Sequence, residues 1–86
     1  MDDGKQAPDV ETNNRAEWIV HVRDAVLGRP LNLIIAASGG RVVVVPPAAV
    51  GYVVPPKSIE RYCDALHAAH NVAAHQTLIA GMDAER

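Results

Sequence analysis

Three side chains that bind soft metals recur about one helical turn apart in the C-terminal part of the sequence. Cys63, His67 and His70 are spaced i, i+4 and i+7, so a helix would place them on one face. A thiolate and two imidazoles suit Zn²⁺ or Cu(I). A fourth ligand would have to come from Glu60, His21, a water or another chain. The alternative is a buried cysteine beside partly exposed histidines, and we favour it, so the sequence predicts no metal and no cofactor.

Cys63 is also the only candidate nucleophile of the cysteine type. His67 follows it by one turn, but the cysteine falls inside a predicted helix rather than at an N-terminus, where the dipole would favour a thiolate. No GxSxG, HExxH or paired-carboxylate pattern occurs. The run IIAASGG continues into RVVVV, a strand, whereas a phosphate-binding loop leads into a helix. We therefore predict a protein that is not an enzyme.

Cations that could contact nucleic acid are few and scattered. The formal net charge is −2 and the pI about 6.0, so no bulk field attracts phosphates. Lys57 and Arg61 open the predicted last helix with an acidic residue between them, and Arg41 precedes a valine run. These three residues are weak nucleic-acid candidates, and nucleic acid is a disfavoured partner.

The elements that position these residues follow from periodicity and from glycine and proline signals. Asn14 and Glu17 resemble a capping box, apolar residues then recur at helical spacing, and Gly28 and Pro30 end the run, which predicts a helix at 15–27. LNLIIAA and RVVVV flank Gly39-Gly40, which predicts a β-hairpin with a primed turn. A third short strand is predicted over 49–54, between two proline pairs.

A long helix is predicted from Pro56 or Ser58 to about Ile79, with a possible break at Asn71. The fold class is thus α+β with the order α-β-β-β-α, a three-stranded antiparallel sheet with helices packed on it. That order is also the order of double-stranded-RNA-binding domains, an analogy of element order that carries little functional weight. A helix of this length would overhang five- or six-residue strands.

The overhang and a thin core predict self-association. Small Ala and Val dominate the apolar residues, Phe is absent, and small side chains bury little area each. One apolar helix face is predicted to form the interface: Tyr62, Leu66, Ala69, Ala73 and Ile79. The predicted function is a non-catalytic protein–protein interaction module, a homodimeric accessory or regulatory protein that binds another, unidentified protein. The alternatives are a nucleic-acid-binding domain and a metal-responsive protein that uses Cys63, His67 and His70.

Length and composition bound the remaining expectations. We predict one domain over 14–82, a disordered acidic tail over 1–13 and a disordered end over 83–86. No apolar run is long enough to cross a membrane, and no signal peptide is recognised. A single cysteine excludes an intramolecular disulfide and suits a reducing compartment, so we predict a cytoplasmic location.

Overall fold

The chain forms a small domain in which one long helix packs on one face of an antiparallel sheet. The computed structural model describes residues 7–12 and 14–84, with side chains up to residue 76. Its elements, in chain order, are β1 (Val10–Glu11), β2 (Arg15–Asp24), β3 (Pro30–Ser38), β4 (Arg41–Val45), β5 (Tyr52–Val53) and α1 (Pro56–Ala84). Within this part of the chain, no helix is both long and apolar enough to cross a bilayer.

The predicted helix at 15–27 is wrong, because Arg15–Asp24 forms the strand β2. Its residues also alternate, with apolar side chains at even positions and mostly polar ones at odd positions, and a strand buries such a pattern on one face. Four side chains of β2 are buried in this way: Ala16, Trp18, Val20 and Val22. The α-β-β-β-α order is therefore replaced by strands followed by a single helix.

Gly28, which the sequence analysis assigned to the end of that helix, lies in the turn between β2 and β3. It adopts a φ of 75°, and its N–H donates to the carbonyl of Asp24 at 2.9 Å. The Asp24 carboxylate also accepts from the N–H groups of Val26 and Leu27, at 2.7 and 3.1 Å. These two apolar side chains are 71% and 61% exposed, so they belong to a turn and not to a core helix.

The predicted hairpin is confirmed. Gly39 and Gly40 have φ values of 61° and 87°, the positive angles that a primed two-residue turn requires. β3 pairs with β4 from Ser38↔Arg41 to Ile34↔Val45. The prediction of a third strand is confirmed only at β5, which pairs with β2 and not with its hairpin neighbour.

The sheet therefore has the order β1-β2-β3-β4, with β1 and β5 sharing the far edge of β2. The predicted tail contributes to it, since Val10 pairs with Glu17 and Glu11 with Ala16. Residues 1–6 and 13 lie outside the described residues, as do 85 and 86.

The predicted long helix is confirmed, and it runs without a break through Asn71. Ala65, Ala69 and Ala73 recur every four residues and are buried against the strands, where small side chains allow close approach of helix and sheet. The strands β2 and β3 have 10 and 9 residues, longer than predicted, so the sheet covers more of the helix than the sequence suggested.

Gln76 fixes the helix to the far end of the sheet. Its side chain accepts a hydrogen bond from the Gly40 N–H at 2.9 Å and donates to the carbonyls of Ala37 and Asn14, both at 3.3 Å. The helix continues for eight residues beyond this clamp, a rise of about 12 Å. The predicted overhang is therefore confined to the last two turns.

Candidate functional site

The two edges of the sheet are the places where main-chain groups are left for a partner. The residues beside the Gly39-Gly40 turn form a hydrogen-bonded pair, so the pairing alternates from there. On β4, the N–H and C=O groups of Val42 and Val44 then point away from β3. On β2, the odd-numbered residues direct theirs toward β1 and β5, as shown by the bonds of Glu17 and Ile19 to Asp9.

The β4 edge, defined as Arg41–Val45, is apolar and open. Three of its valines have large exposed fractions, 39% for Val42, 40% for Val44 and 42% for Val45. Arg41 is its only charged residue, and its only proline signal comes after the strand. An edge without charges, bulges or prolines along its length is a ready template for another strand.

The β2 edge is divided into three parts. β1 covers its beginning and β5 covers its end, through Arg23↔Val53 and Asp24↔Tyr52. Between them Ile19 is satisfied by side chains: its N–H donates to the Asp9 carboxylate at 2.7 Å, and its C=O accepts from Arg61 Nη2 at 3.2 Å and Nε at 3.3 Å. Arg61 Nη2 and Asp9 Oδ2 also form an ion pair at 2.7 Å.

His21 is the remaining residue on this edge. Neither β1 nor β5 pairs with it. The next position along β5 is Pro55, which has no N–H to donate and whose carbonyl already accepts from Ser58 at 2.8 Å. Pro8 stands at the corresponding end of β1. Prolines thus stop both covering strands, and within the described part of the chain no hydrogen bond is recorded for the outward main-chain groups of His21.

A groove of about 690 Å³ opens at this gap, which we call the β2 groove. Its cationic lining side chains come from β2 and from the first turns of α1, namely Arg23, Lys57 and Arg61. Asp9, its one acidic side chain, is already paired with Arg61. The His21 ring lies at the mouth, with Nδ1 3.1 Å from Asn32 Oδ1. No acidic residue occupies the first turn of α1, so its positive N-terminal dipole is uncompensated there.

The predicted nucleic-acid residues are not brought together. Lys57 and Arg61 lie at the start of α1, beside the β2 groove. Arg41 lies beside the hairpin turn that Gln76 contacts, about 29 Å farther along the helix. Hence the three cations do not form one phosphate-tracking stripe.

The predicted metal ligands Cys63, His67 and His70 are all exposed on the solvent side of α1. Among the described residues, no group of three or more His, Cys, Asp or Glu side chains could hold a metal ion. His21, considered as a fourth ligand, lines the β2 groove instead.

The predicted interface face of the helix is turned mostly toward the chain's own sheet. Ala69 and Ala73 are 0% and 4% exposed, and Tyr62 and Leu66 are half-buried against the same core. The side chain of Ile79 lies outside the described residues. The β4 edge and the β2 groove were not identified from the sequence, although the valine run and the two proline pairs are the signals that mark them.

Comparisons with known proteins add no family to this geometry. A scan against protein-family models gives no match, and searches of curated proteins and of solved structures give none either. The edges of the sheet therefore carry the functional reasoning that follows.

Proposed function

We propose that this chain is a non-catalytic protein-interaction module that pairs with a second copy of itself through the β4 edge. The observation that carries the proposal is an unpaired strand of exposed valines. The interface differs from the helix face predicted from the sequence, because the helix alanines are buried within the chain's own core.

The β4 edge is suited to two-fold pairing. With Val43 on the axis, Val42 lies opposite Val44 of the other copy, and each such pair exchanges both main-chain hydrogen bonds. Arg41 then lies opposite Val45, so the two arginines are kept apart. Like charges directly across a strand pair destabilise it, and this register avoids that contact.

Pairing through β4 also compensates for a thin core. The largest fully buried side chains are only five in number, Trp18, Leu33, Ile35, Val20 and Val22. A second copy would cover the exposed valines and join two sheets into one, with a helix from each copy on the same face. Burial of that apolar surface stabilises the pair at about 25 cal/mol per Å².

The test is the absolute mass by light scattering over a hundredfold concentration range. We expect twice the chain mass of 9.2 kDa at high concentration. Val44→Lys should weaken the dimer roughly tenfold or more, because a lysine on each copy places like charges at the new strand pair. The matched control is Val50→Lys, at a 98% exposed position between β4 and β5, which should leave the mass unchanged.

A monomer at every concentration would refute the proposal. Equal effects of the two lysine substitutions would refute the β4 edge as the interface, even if the protein is a dimer. Preservation of the far-ultraviolet spectrum in both variants separates dissociation from unfolding.

A further inference from the structure

We infer that the β2 groove is a second binding site, which receives the free C-terminal carboxylate of a peptide chain. It lies on the edge of the sheet opposite β4, so binding here does not depend on pairing of two copies. The groove has three properties that point to this ligand: its charge, its free main-chain groups and its closed ends.

The charge of the groove favours an anion. Asp9 and Arg61 neutralise one another through their 2.7 Å ion pair. Arg23 uses Nη1 to donate to the Gly28 carbonyl at 2.8 Å, which holds this guanidinium at the wall. Lys57 is exposed and has no ion-pair partner among the described residues. The net excess is therefore positive, and Lys57 is the cation best placed to meet a bound carboxylate.

The free main-chain groups favour a peptide over other anions. The N–H of His21 can donate to a carboxylate oxygen, and its C=O can accept from the amide of the residue before it. An inorganic anion would use only the first of these groups. The apolar walls, Ile19 and Pro55 among them, suit a small aliphatic side chain next to the carboxylate.

The closed ends favour a chain terminus over a continuous strand. β1 ends the gap on one side and β5 on the other, so only one residue of β2 is open between Ile19 and Arg23. A peptide that continued along the edge would collide with Val53 or with Pro8. A chain that enters from outside and stops at His21 meets neither, which is why we assign the site to a C-terminus.

The experiment is a titration of the full-length protein, labelled with ¹⁵N, with the tripeptide N-acetyl-Ala-Ala-Val. The probe is used as the free acid and as the C-terminal amide. We expect the acid to shift the amide signals of His21, Lys57 and Ser58, with millimolar affinity, and the amide to bind at least roughly tenfold more weakly.

Lys57→Met removes the charge and keeps the length of the side chain, and Arg41→Met is the matched control at the far end of the sheet. The first should weaken binding of the acid about fivefold to tenfold, and the second should leave it unchanged. Dimer mass should be the same in both variants, so failure here and failure of the β4 proposal are distinguishable.

Three outcomes would overturn the inference. Equal shifts from acid and amide would remove the carboxylate from recognition. Binding of inorganic phosphate or of N-acetyl-Ala-Glu-Ala amide as tight as that of the free acid would make the groove a general anion or acidic side-chain site. Stronger shifts at His21 and Lys57 from a short single-stranded oligonucleotide would assign the groove to nucleic acid.

Discussion

The two edges of this sheet meet the same physical problem in opposite ways. The β2 edge is covered by two very short strands, stopped by prolines at both sides of the gap, and capped at Ile19 by a carboxylate and a guanidinium. The β4 edge has none of these features and exposes valines. Charges and prolines along an edge prevent uncontrolled pairing of strands. The difference indicates that β2 is built to admit one small ligand and β4 to admit a whole strand.

The substitution with the largest expected effect removes both edges together. Ala69 is fully buried between α1 and the sheet, so Ala69→Glu would bury a charge without a partner. We expect a loss of about 3–5 kcal/mol in the free energy of unfolding. Urea denaturation followed by circular dichroism measures it.

The control for this substitution lies one helical turn and one residue away. Ala74 is exposed on the same helix, so Ala74→Glu should change stability by less than about 0.5 kcal/mol. If Ala69→Glu only dissociated a dimer and left the fold intact, the helix face predicted from the sequence would be the interface after all.

A smaller effect is expected where the comparison is sharpest, at the cap of the β2 edge. Arg61→Met removes the donors to the Ile19 carbonyl and leaves Asp9 unpaired. Since the Arg61 side chain is 35% exposed, solvent screening limits the cost to about 1 kcal/mol. Faster hydrogen exchange of the amides of Ile19 and His21 should accompany it, while exchange at Val43 stays the same.

Arg61→Lys separates charge from geometry in that cap. A lysine keeps the charge but cannot reach a carboxylate and a carbonyl with a planar fork. We expect Arg61→Lys to resemble Arg61→Met in exchange and to recover only part of the stability. Full recovery would mean that the ion pair alone, and not the cap on Ile19, holds this edge.

The smallest effect concerns the turn that ends β2. Hydrogen bonds from the N–H groups of Leu27 and Val26, with a smaller contribution from the charge of Arg29, lower the pKa of Asp24. A lowered pKa in the folded state adds stability above the unfolded pKa of about 3.9, and this contribution is lost as the pH falls through the folded value.

Asp24→Asn tests this pH dependence, because it removes the charge but keeps a side-chain oxygen. The variant should melt slightly below the wild type at pH 7, and the gap should close as the pH falls below about 4. A gap that persists unchanged at pH 2 would show that the charge of Asp24 does not contribute. No change is expected at the hairpin of β3 and β4, whose turn depends on two glycines.

The hairpin and the last helix could be predicted because their signals lie close together in the chain. Gly39-Gly40 between two valine- and isoleucine-rich runs specifies a turn by local geometry alone. Residues 15–27, by contrast, carry two periods at once. Trp18 fits both of them, and Ile19 and Val26 favoured the helix.

The strand is formed because β3 provides nine residues of pairing for the alternating set that includes Trp18 and Val20. Tertiary pairing of this kind decides between two local periods and is not visible in the segment itself. The β2 groove could not be predicted for a related reason. Asp9 and Arg61 are 52 positions apart and meet only because β1 and α1 flank the same strand.

The order of the elements has a consequence for synthesis of the chain. Every strand leaves the ribosome before α1, so the face of the sheet around Trp18 and Leu33 is bare while translation continues. The clamp by Gln76 comes last, because it joins Asn14 and Gly40 to a residue emitted near the end. A nascent chain of this protein is therefore a natural client for a chaperone that shields apolar strands, until the helix emerges and releases it.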